Sequence, residues 1–549
     1  MKFLRLLANA LLCGLYVSFL LALLLLDLNI NHVLRPLDLP RLALFLMPSY
    51  GLAVTLLGLL AASVTRFFTA RSDKPAFLSA PYLTLAFSVL TLLFLIVFRE
   101  NTAHFASFFV PGARAAILGQ LIAWFATGGA GLIIFYRYHG RPRHRAFAVF
   151  FVLAGLAYLA AALLRTQFPV PEKAYGLARF ESKSMARKVT VLDLDGLSFE
   201  VLFPLVGEGK LPNFGYLIEN GAWGHLTGFT PSDDYLLRAS AATGKLPGKH
   251  RRVSDVRYEI PGFPGRLEVV PRFILFRQLK RVGLLGIVPH DAPSEVRDIW
   301  EIFEASGASV RRFGPGPSGF PPPGPEFESV KLFASTFETL KGTSSPPAVR
   351  LRRAFLRDAA AESVALRAKV EAPPQLFGLT LAGLDEVQAY FYKFSFPALF
   401  GDIRPEEIQS FGPVIERYYQ YYDRILSKVL ASLKEDELVV VYSPHGLEPL
   451  PFWKRLVEWL LGNADVSAYH ERGPDGVVFF YGNKGVVRGK NIEPVQLADI
   501  APTVLYYAGL PVGKYMDGYV RTAVFTKEFK DENPIQTIVS YEDLILDRR

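Results

Sequence analysis

Five long apolar runs in the first 165 residues constrain this 549-residue chain more than any other feature. None of them carries Lys, Arg, Asp or Glu in its interior. Each is close to the roughly 20 residues that a helix needs to cross a bilayer. Because lipid offers no partner to a bare backbone amide, helix is the form we expect. The runs cover residues 6–26, 42–64, 78–98, 115–135 and 146–164.

A cleaved signal peptide is the alternative for the first run. Its 21 apolar residues exceed the roughly 7–15 of a signal-peptide core, and four further runs follow it. The chain is also 51% hydrophobic, with a mean hydropathy of +0.24, which is too apolar for an ordinary soluble enzyme. We therefore expect a domain of five membrane helices at 1–165, a connector at 166–188 and a second domain at 189–549.

Basic residues between the runs predict the orientation. The N-terminus and the second and fourth loops carry nine Lys or Arg, and the first and third loops carry four. Because cytoplasmic loops are enriched in these residues, we expect a multi-pass membrane protein with a cytoplasmic N-terminus and an extracytoplasmic C-terminal domain, periplasmic in a bacterium. The nine are Lys2, Arg5, Arg66, Arg71, Lys74, Arg137, Arg141, Arg143 and Arg145.

The net charge of +9 raises the question of a nucleic-acid partner. In a membrane protein, a basic balance more often reflects cytoplasmic loops beside anionic lipid. Arg and Lys do not interleave with aromatic residues as they do on nucleic-acid-binding surfaces. We expect the bilayer, and no nucleic acid, as a partner.

The C-terminal two thirds alternate between two patterns. Short runs rich in β-branched and aromatic residues predict buried strands at 189–194, 377–381, 438–442 and 476–481. Helical patterns lie at 212–220, 294–305, 354–370, 414–433 and 500–508. Strands alternating with helices predict an α/β domain with a mostly parallel sheet covered on both faces. The Gly- and Pro-rich segment 314–325 is predicted to be an ordered loop.

Short motifs follow one another in a fixed order through this domain. The main motifs are Asp195-Gly196, Leu211-Pro212-Asn213, Ala242-Thr243-Gly244-Lys245-Leu246-Pro247-Gly248-Lys249-His250, Gly383-Leu384-Asp385, Ser443-Pro444-His445-Gly446 and Asp499-Ile500-Ala501-Pro502-Thr503. Together they resemble the type I phosphodiesterase/nucleotide pyrophosphatase branch of the alkaline phosphatase superfamily, and the resemblance extends over nearly all of residues 189–520. It implies an alkaline-phosphatase-like α/β domain.

The resemblance also implies two neighbouring divalent metal ions, usually zinc, held by six Asp and His side chains. Four of the six positions match, and they imply metal ligation by Asp195, Asp385, His445 and His470. The other two are replaced by Ala389, where a His is expected, and Pro444, where an Asp is expected. We expect zinc or manganese, at partial occupancy or absent.

The nucleophile of the family, a Ser or Thr, aligns without a gap on Asp234. Ser232 becomes the counterpart if the alignment shifts by two residues, and Thr230 lies further upstream. Substitute ligands near the two gaps are Glu386, Gln388 and Glu448. Each residue also has a structural alternative: a helix cap for Asp195, a turn for Asp385, hydrogen-bonded loop histidines for His445 and His470, and a structural carboxylate for Asp193.

Three functions remain open on the sequence. The first is a membrane-anchored, extracytoplasmic phosphodiesterase or phosphohydrolase with an incomplete two-metal site, acting on a phosphoester or a lipid-linked substrate. The second is an inactive relative that serves as a binding or scaffolding protein, which the replacements at Ala389 and Pro444 favour. The third is a lipid head-group phosphotransferase, by analogy with the layout of membrane spans followed by a superfamily domain.

Overall fold

A computed structural model describes most of the chain, and its contacts divide it into two units. The membrane unit comprises Met1–Lys173 and Pro247–His290, and the α/β unit comprises Ala174–Leu246 and Asp291–Arg549. The predicted loop at 314–325, except for its first residue, and most of the connector at 166–188 lie outside the described residues. These are 2–68, 80–109, 113–139, 144–165, 176–177, 187–271, 275–289, 296–314, 327–340, 342–401, 403–460, 463–471, 473–492 and 494–543.

Four helical segments of the membrane unit are long and apolar enough to cross a bilayer: Leu6–Leu28, Asp38–Ala61, Leu83–His104 and Ala113–Tyr138. The fifth predicted span is also helical, but its described apolar part, Arg145–Ala160, is too short to meet the same test. The structure therefore supports four spans where the sequence predicts five. The full helices are Lys2–Leu28, Asp38–Leu46, Leu52–Phe68, Ala80–His104, Ala113–Tyr138 and His144–Arg165.

The second span stays helical although it contains a proline. A single π-helical turn, Met47–Gly51, joins Asp38–Leu46 to Leu52–Phe68 and has Pro48 near its start. A wider turn of this kind accommodates a residue that cannot donate a backbone hydrogen bond. Gly14 of the first helix permits a close crossing with this turn, since a Cβ on Gly14 would lie 2.3 Å from the Gly51 carbonyl oxygen.

The segment Pro247–His290 belongs to the membrane unit by its contacts, whereas the sequence boundaries assign it to the second domain. It forms a three-stranded antiparallel sheet, too small to bury a core of its own. Its apolar side chains join those of the first two spans in one buried cluster that includes Leu25, Leu42 and Tyr258. The strands are Val256–Glu259, Arg266–Leu267 and Gly286–Pro289, and the helices are Pro247–His250 and Phe276–Arg281.

The α/β unit is built on one eight-stranded sheet. Its strands are β1 (Lys188–Leu194), β2 (Ala222–Thr227), β3 (Val310–Phe313), β4 (Leu376–Leu381), β5 (Glu437–His445), β6 (Asp475–Gly482), β7 (Lys490–Asn491) and β8 (Val495–Gln496). Their spatial order is β7-β2-β6-β5-β1-β4-β3, with β8 also paired to β2. Strands β5, β1, β4 and β3 are parallel, and β6 runs antiparallel to both of its neighbours.

Both faces of this sheet are buried, as predicted. In β5, Val439 and Val441 join the core on one face, whereas Leu438 and Val440 join the core on the other. The four predicted strands are all confirmed, and the other four strands of the sheet, β2, β3 and the two-residue β7 and β8, were not predicted. The helices are Phe199–Gly207, Pro212–Asn220, Asp234–Thr243, Ile299–Ala305, Phe327–Thr336, Pro346–Glu371, Gly383–Ser395, Pro405–Phe411, Val414–Ala431, Phe452–Leu460, Ile500–Ala508 and Lys527–Glu532.

Candidate metal centre

The carboxyl ends of the parallel strands bring the predicted ligands to one edge of the sheet. Asp195 directly follows β1, Asp385 lies in the first turn of the helix after β4, and His445 is the last residue of β5. His470 precedes β6, which is antiparallel and therefore begins at the same edge, where its Asp475 pairs with His445. Ligand sites of α/β sheets lie at this edge.

His445 is the centre of the cluster. Its Nε2 lies 3.2 Å from Asp234 Oδ1, and its Nδ1 lies 3.9 Å from Asp385 Oδ1. Its ring stacks on that of His470, with the ring centroids 4.4 Å apart. One ligand atom from each of Asp234, His445 and His470 lies within 4.8 Å of the others. These four residues thus converge in space.

Arg238 is a member of the cluster that the sequence reasoning missed. Its Nε donates to Asp193 Oδ2 at 2.9 Å, and its terminal nitrogen donates to Asp195 Oδ2. The same terminal nitrogen lies 3.9 Å from Asp234 Oδ2. The available signal was spacing, because Arg238 lies one helical turn after Asp234 and so shares its face.

A tight turn at Gly196 sets the position of Asp195. Gly196 has a φ of +87°, and a Cβ there would lie 2.6 Å from the side-chain nitrogen of Gln388. The Gly196 carbonyl accepts hydrogen bonds from Gln388 Nε2 at 2.6 Å and from the Tyr419 hydroxyl at 3.1 Å. Gln388, a suggested substitute ligand, is therefore engaged in holding the backbone beside the site.

The remaining sequence candidates lie at the margin of the cluster or have other partners. Glu386 forms an ion pair with Arg357 at 3.0 Å. The hydroxyl of Ser232 donates to the backbone oxygen of His470 at 3.5 Å rather than to its ring. Glu448 is half-buried, with one carboxylate oxygen that makes no hydrogen bond among the described residues. Of the two nucleophile candidates, Asp234 is the one whose side chain contacts the histidines.

The pKa values of the site reflect burial opposed by close charges. Burial disfavours the charged His445 ring, but the hydrogen bond to Asp234 and the charge of Asp385 outweigh it and raise the pKa of His445 to about 9. Burial also opposes ionisation of Asp234, yet its hydrogen bond to His445 and the charge of Arg238 lower its pKa below the usual value. Without a metal ion, His445 and Asp234 are therefore a charged pair near neutral pH, and a metal ion bound by His445 would have to displace its proton.

For three other groups, burial is the largest influence on the pKa. Burial raises the pKa of Asp195 well above its usual value, although the charge of Arg238 opposes the shift. It also raises the pKa of Asp385, against the charge of His445. For His470, burial and then the charge of His445 lower the pKa, so this ring is neutral at neutral pH. A neutral imidazole is the form that binds a metal ion.

Comparison with known proteins assigns the family. The sequence model of the type I phosphodiesterase/nucleotide pyrophosphatase family matches residues 189–530, more than half of the chain. The chain belongs to this family. Among solved structures it is similar to murine ectonucleotide pyrophosphatase/phosphodiesterase 5, an inactive variant in complex with AMP, at 12% identity and a TM-score of 0.40, over 62% of this chain and 100% of that chain. No curated protein sequence matches it.

The donors present in this phosphodiesterase family member fit one divalent ion better than two. Among the described residues, Asp385 Oδ1 and His445 Nδ1 are buried and make no hydrogen bond, and they face each other. Such unpartnered buried atoms fit a cation. Asp195 also has one free buried oxygen, but its other oxygen is bound by Arg238, a fixed positive charge where a second ion would need the carboxylate. Ala389 and Pro444 supply no side-chain donor there.

Proposed function

We propose that the protein is a phosphodiesterase-type hydrolase that holds one divalent metal ion among Asp234, Asp385, His445 and His470. The observation that carries the proposal is a pair of buried ligand atoms, Asp385 Oδ1 and His445 Nδ1, which lie 3.9 Å apart beside a neutral imidazole and make no hydrogen bond among the described residues. A bound divalent ion would polarise a phosphoryl oxygen of the substrate. Carboxylate and imidazole ligands suit zinc or manganese.

The chain's own charges account for the rest of the site. Arg238 neutralises Asp193 and Asp195 and leaves the half of the cluster around His445 for the ion. Asp234 aligns without a gap with the family's nucleophile, and its carboxylate is paired with His445. We infer that Asp234 acts as a metal ligand and that a water or hydroxyl group attacks the phosphoester.

A non-catalytic role is the second candidate, and Arg238 is the observation that favours it. The ion pair with Arg238 compensates the carboxylate of Asp195 without a metal ion. In addition, Ala389 and Pro444 stand where the family has two metal ligands. A protein of this kind would bind a phosphoester without cleaving it. A lipid head-group phosphotransferase has no separate observation in its favour.

The deciding experiment measures metal and turnover on the purified full chain. We expect close to one zinc or manganese ion per chain and cleavage of bis(4-nitrophenyl) phosphate, both lost in Asp385→Asn. The matched control is Asp531→Asn at an exposed position of the α/β unit, which should change neither. Metal-free protein without turnover would support the non-catalytic role, and two ions per chain would contradict the one-ion site.

We also infer that the α/β unit is extracytoplasmic, as the nine-to-four distribution of basic residues supports. Four spans would return the chain to the side of the N-terminus, so this orientation requires that the fifth helix, His144–Arg165, also crosses the bilayer. The single cysteine, Cys13, makes this testable by labelling. In a Cys13→Ser background, Asp531→Cys should react with a membrane-impermeant maleimide in intact cells. Labelling only after lysis would reverse the orientation.

A further inference from the structure

The helix Phe452–Leu460, here called the interfacial helix, has its apolar side facing outward. Phe452, Trp453 and Trp459 are 75%, 59% and 62% exposed, and Leu456 and Val457 lie beside them at 49% and 38%. A soluble protein rarely leaves so many large apolar side chains exposed in one place. Something apolar is expected to cover this surface.

The polar residues of the same helix face inward. Lys454 bonds to Glu471 at 2.6 Å and sits 3.9 Å from the centre of the Tyr469 ring. The Arg455 guanidinium lies 5.2 Å from the centre of the Phe400 ring. A helix at a protein–water boundary has the opposite arrangement, with charged residues outward and apolar residues inward. The sequence of this helix is therefore suited to an apolar surrounding on its outer side.

The interfacial helix is attached directly to the candidate metal centre. It lies in the loop between His445 and His470, whose rings stack at the base of that loop. Just above the base, Glu448–Pro449 pairs antiparallel with Ala468–Tyr469 and closes the loop as a short ribbon. Phe452 follows His445 by only seven positions, so the start of the helix lies within about 25 Å of the site.

Two observations identify a lipid bilayer as the occupant. The chain carries four segments able to span a membrane, so a bilayer surface is always within reach of the α/β unit. The exposed set is rich in Trp and Phe, and Trp favours the boundary between lipid and water. A second copy fits less well, because nine residues extend only about 14 Å, and a stable pair needs about 800 Å² from each partner.

We propose that the interfacial helix inserts into the surface of the bilayer and holds the metal centre against it, so that the phosphoester is the head group of a membrane lipid. The insertion of this helix into the bilayer is argued from its exposed side chains and does not depend on the proposed function. The substrate class does rest on the proposed function. Lipid bound in this way reaches the site without leaving the membrane. The two parts of the proposal are tested separately.

The insertion is tested by depth-dependent fluorescence. The full chain carries Cys13→Ser and Trp453→Cys, and an environment-sensitive dye is attached to the introduced cysteine. This labelled protein is reconstituted into vesicles of phosphatidylethanolamine and phosphatidylglycerol. A doxyl spin label on the lipid chains should quench most of the emission. The control position is Lys484→Cys, whose native side chain is 60% exposed, and its dye should keep its emission. Equal, weak quenching at both positions would overturn the proposal.

The same Trp453→Cys variant tests whether a second copy of the chain, instead of lipid, covers the interfacial helix. For this test the introduced thiol is left without dye and is oxidised. A disulfide between the introduced thiols of two chains, without quenching by lipid in the labelled sample, would show that another chain covers the helix. That result would overturn the membrane assignment, whereas quenching without cross-links supports it. Neither result requires catalysis, so both hold even if the proposed activity fails.

The substrate class is tested by replacing two aromatic residues. Trp453→Ser with Trp459→Ser should lower turnover of a phosphodiester lipid in vesicles by about tenfold, since lost aromatic burial of about 1.4 kcal/mol corresponds to that factor. Turnover of soluble bis(4-nitrophenyl) phosphate should not change. Tyr519→Ser, which removes another exposed aromatic side chain, is the control and should affect neither. Equal losses on both substrates would contradict a lipid head-group substrate, and no turnover of either substrate by the unaltered protein would instead refute the proposed function.

Discussion

Replacing Arg238 with alanine should open a second metal site and make stability depend on metal. The side chain is 14% exposed, and the carboxylate of Asp195 that it contacts is fully buried. Removing one partner of a buried ion pair costs about 3–5 kcal/mol, because the other charge is left without compensation. Burial already raises the pKa of Asp195, so uptake of a proton by this carboxyl favours the lower end of that range.

The loss should be partly reversible by zinc. A metal ion present at a hundredfold excess over its dissociation constant stabilises the folded state by about 2.7 kcal/mol, provided that the unfolded chain does not bind it. Freed from Arg238, Asp193 and Asp195 become available as oxygen ligands beside Asp234. We therefore expect the zinc content of Arg238→Ala to rise from one ion per chain to two.

The assay compares thermal unfolding of the detergent-solubilised chain in chelator and in zinc, together with elemental analysis. The matched control is Lys369→Ala, which breaks another buried pair, since Lys369 Nζ donates to Glu437 and to Thr190 Oγ1. It should lose similar stability without recovering any in zinc. If Arg238→Ala keeps the zinc content of the unaltered protein and responds to zinc no more than Lys369→Ala, Arg238 does not occupy the place of a second ion.

Three further predictions concern single positions. Gly196→Ala should lower the free energy of unfolding by about 1–3 kcal/mol. Gly209→Ala should lower it by less, because both glycines have a positive φ but only a Cβ at Gly196 would also clash with Gln388. Burial raises the pKa of Asp358 from 3.8 to about 6, so the folded protein holds this proton more tightly than the unfolded chain. The free energy of unfolding should therefore fall by up to about 3 kcal/mol as the pH rises from 4 to 7. Asp358→Asn should flatten that part of the stability curve, and an unchanged slope would exclude the assignment. His470→Ala should weaken zinc binding by more than the roughly 10–100-fold typical of residues that only support a ligand, as measured by chelator competition; undiminished affinity would remove His470 from the site.

Much of the fold could be predicted from local patterns. The apolar runs identify the membrane helices because each must satisfy its own backbone hydrogen bonds in lipid. The four predicted strands are buried on both faces and have nearly continuous apolar sequences, which makes them easy to recognise. The two longer strands that were not predicted lack such a continuous apolar sequence. Ala222–Thr227 is only half-buried, and Val310–Phe313, at the sheet edge, contains two arginines.

The membrane unit shows a limit of reasoning from position along the chain. Pro247–His290 begins within a motif that resembles the phosphodiesterase family, and the sequence therefore predicts that it belongs to the second domain. Its small sheet completes its core with Leu25 and Leu42, more than 200 residues earlier in the sequence. No local pattern within the segment reveals which distant apolar surface will cover it.

The sequence by itself determined the membrane helices, the α/β class, the family and five of the residues that meet at the sheet edge, because helix and strand periodicity and ordered motifs are local properties. The five are Asp195, Asp234, Asp385, His445 and His470. Only the tertiary structure decided what compensates Asp195. Arg238 lies 43 residues from it, and the Asp234–His445 contact joins residues 211 apart. Electrostatic compensation depends on distances of a few ångströms between such distant residues, so the folded chain alone shows that a guanidinium stands beside the buried carboxylate.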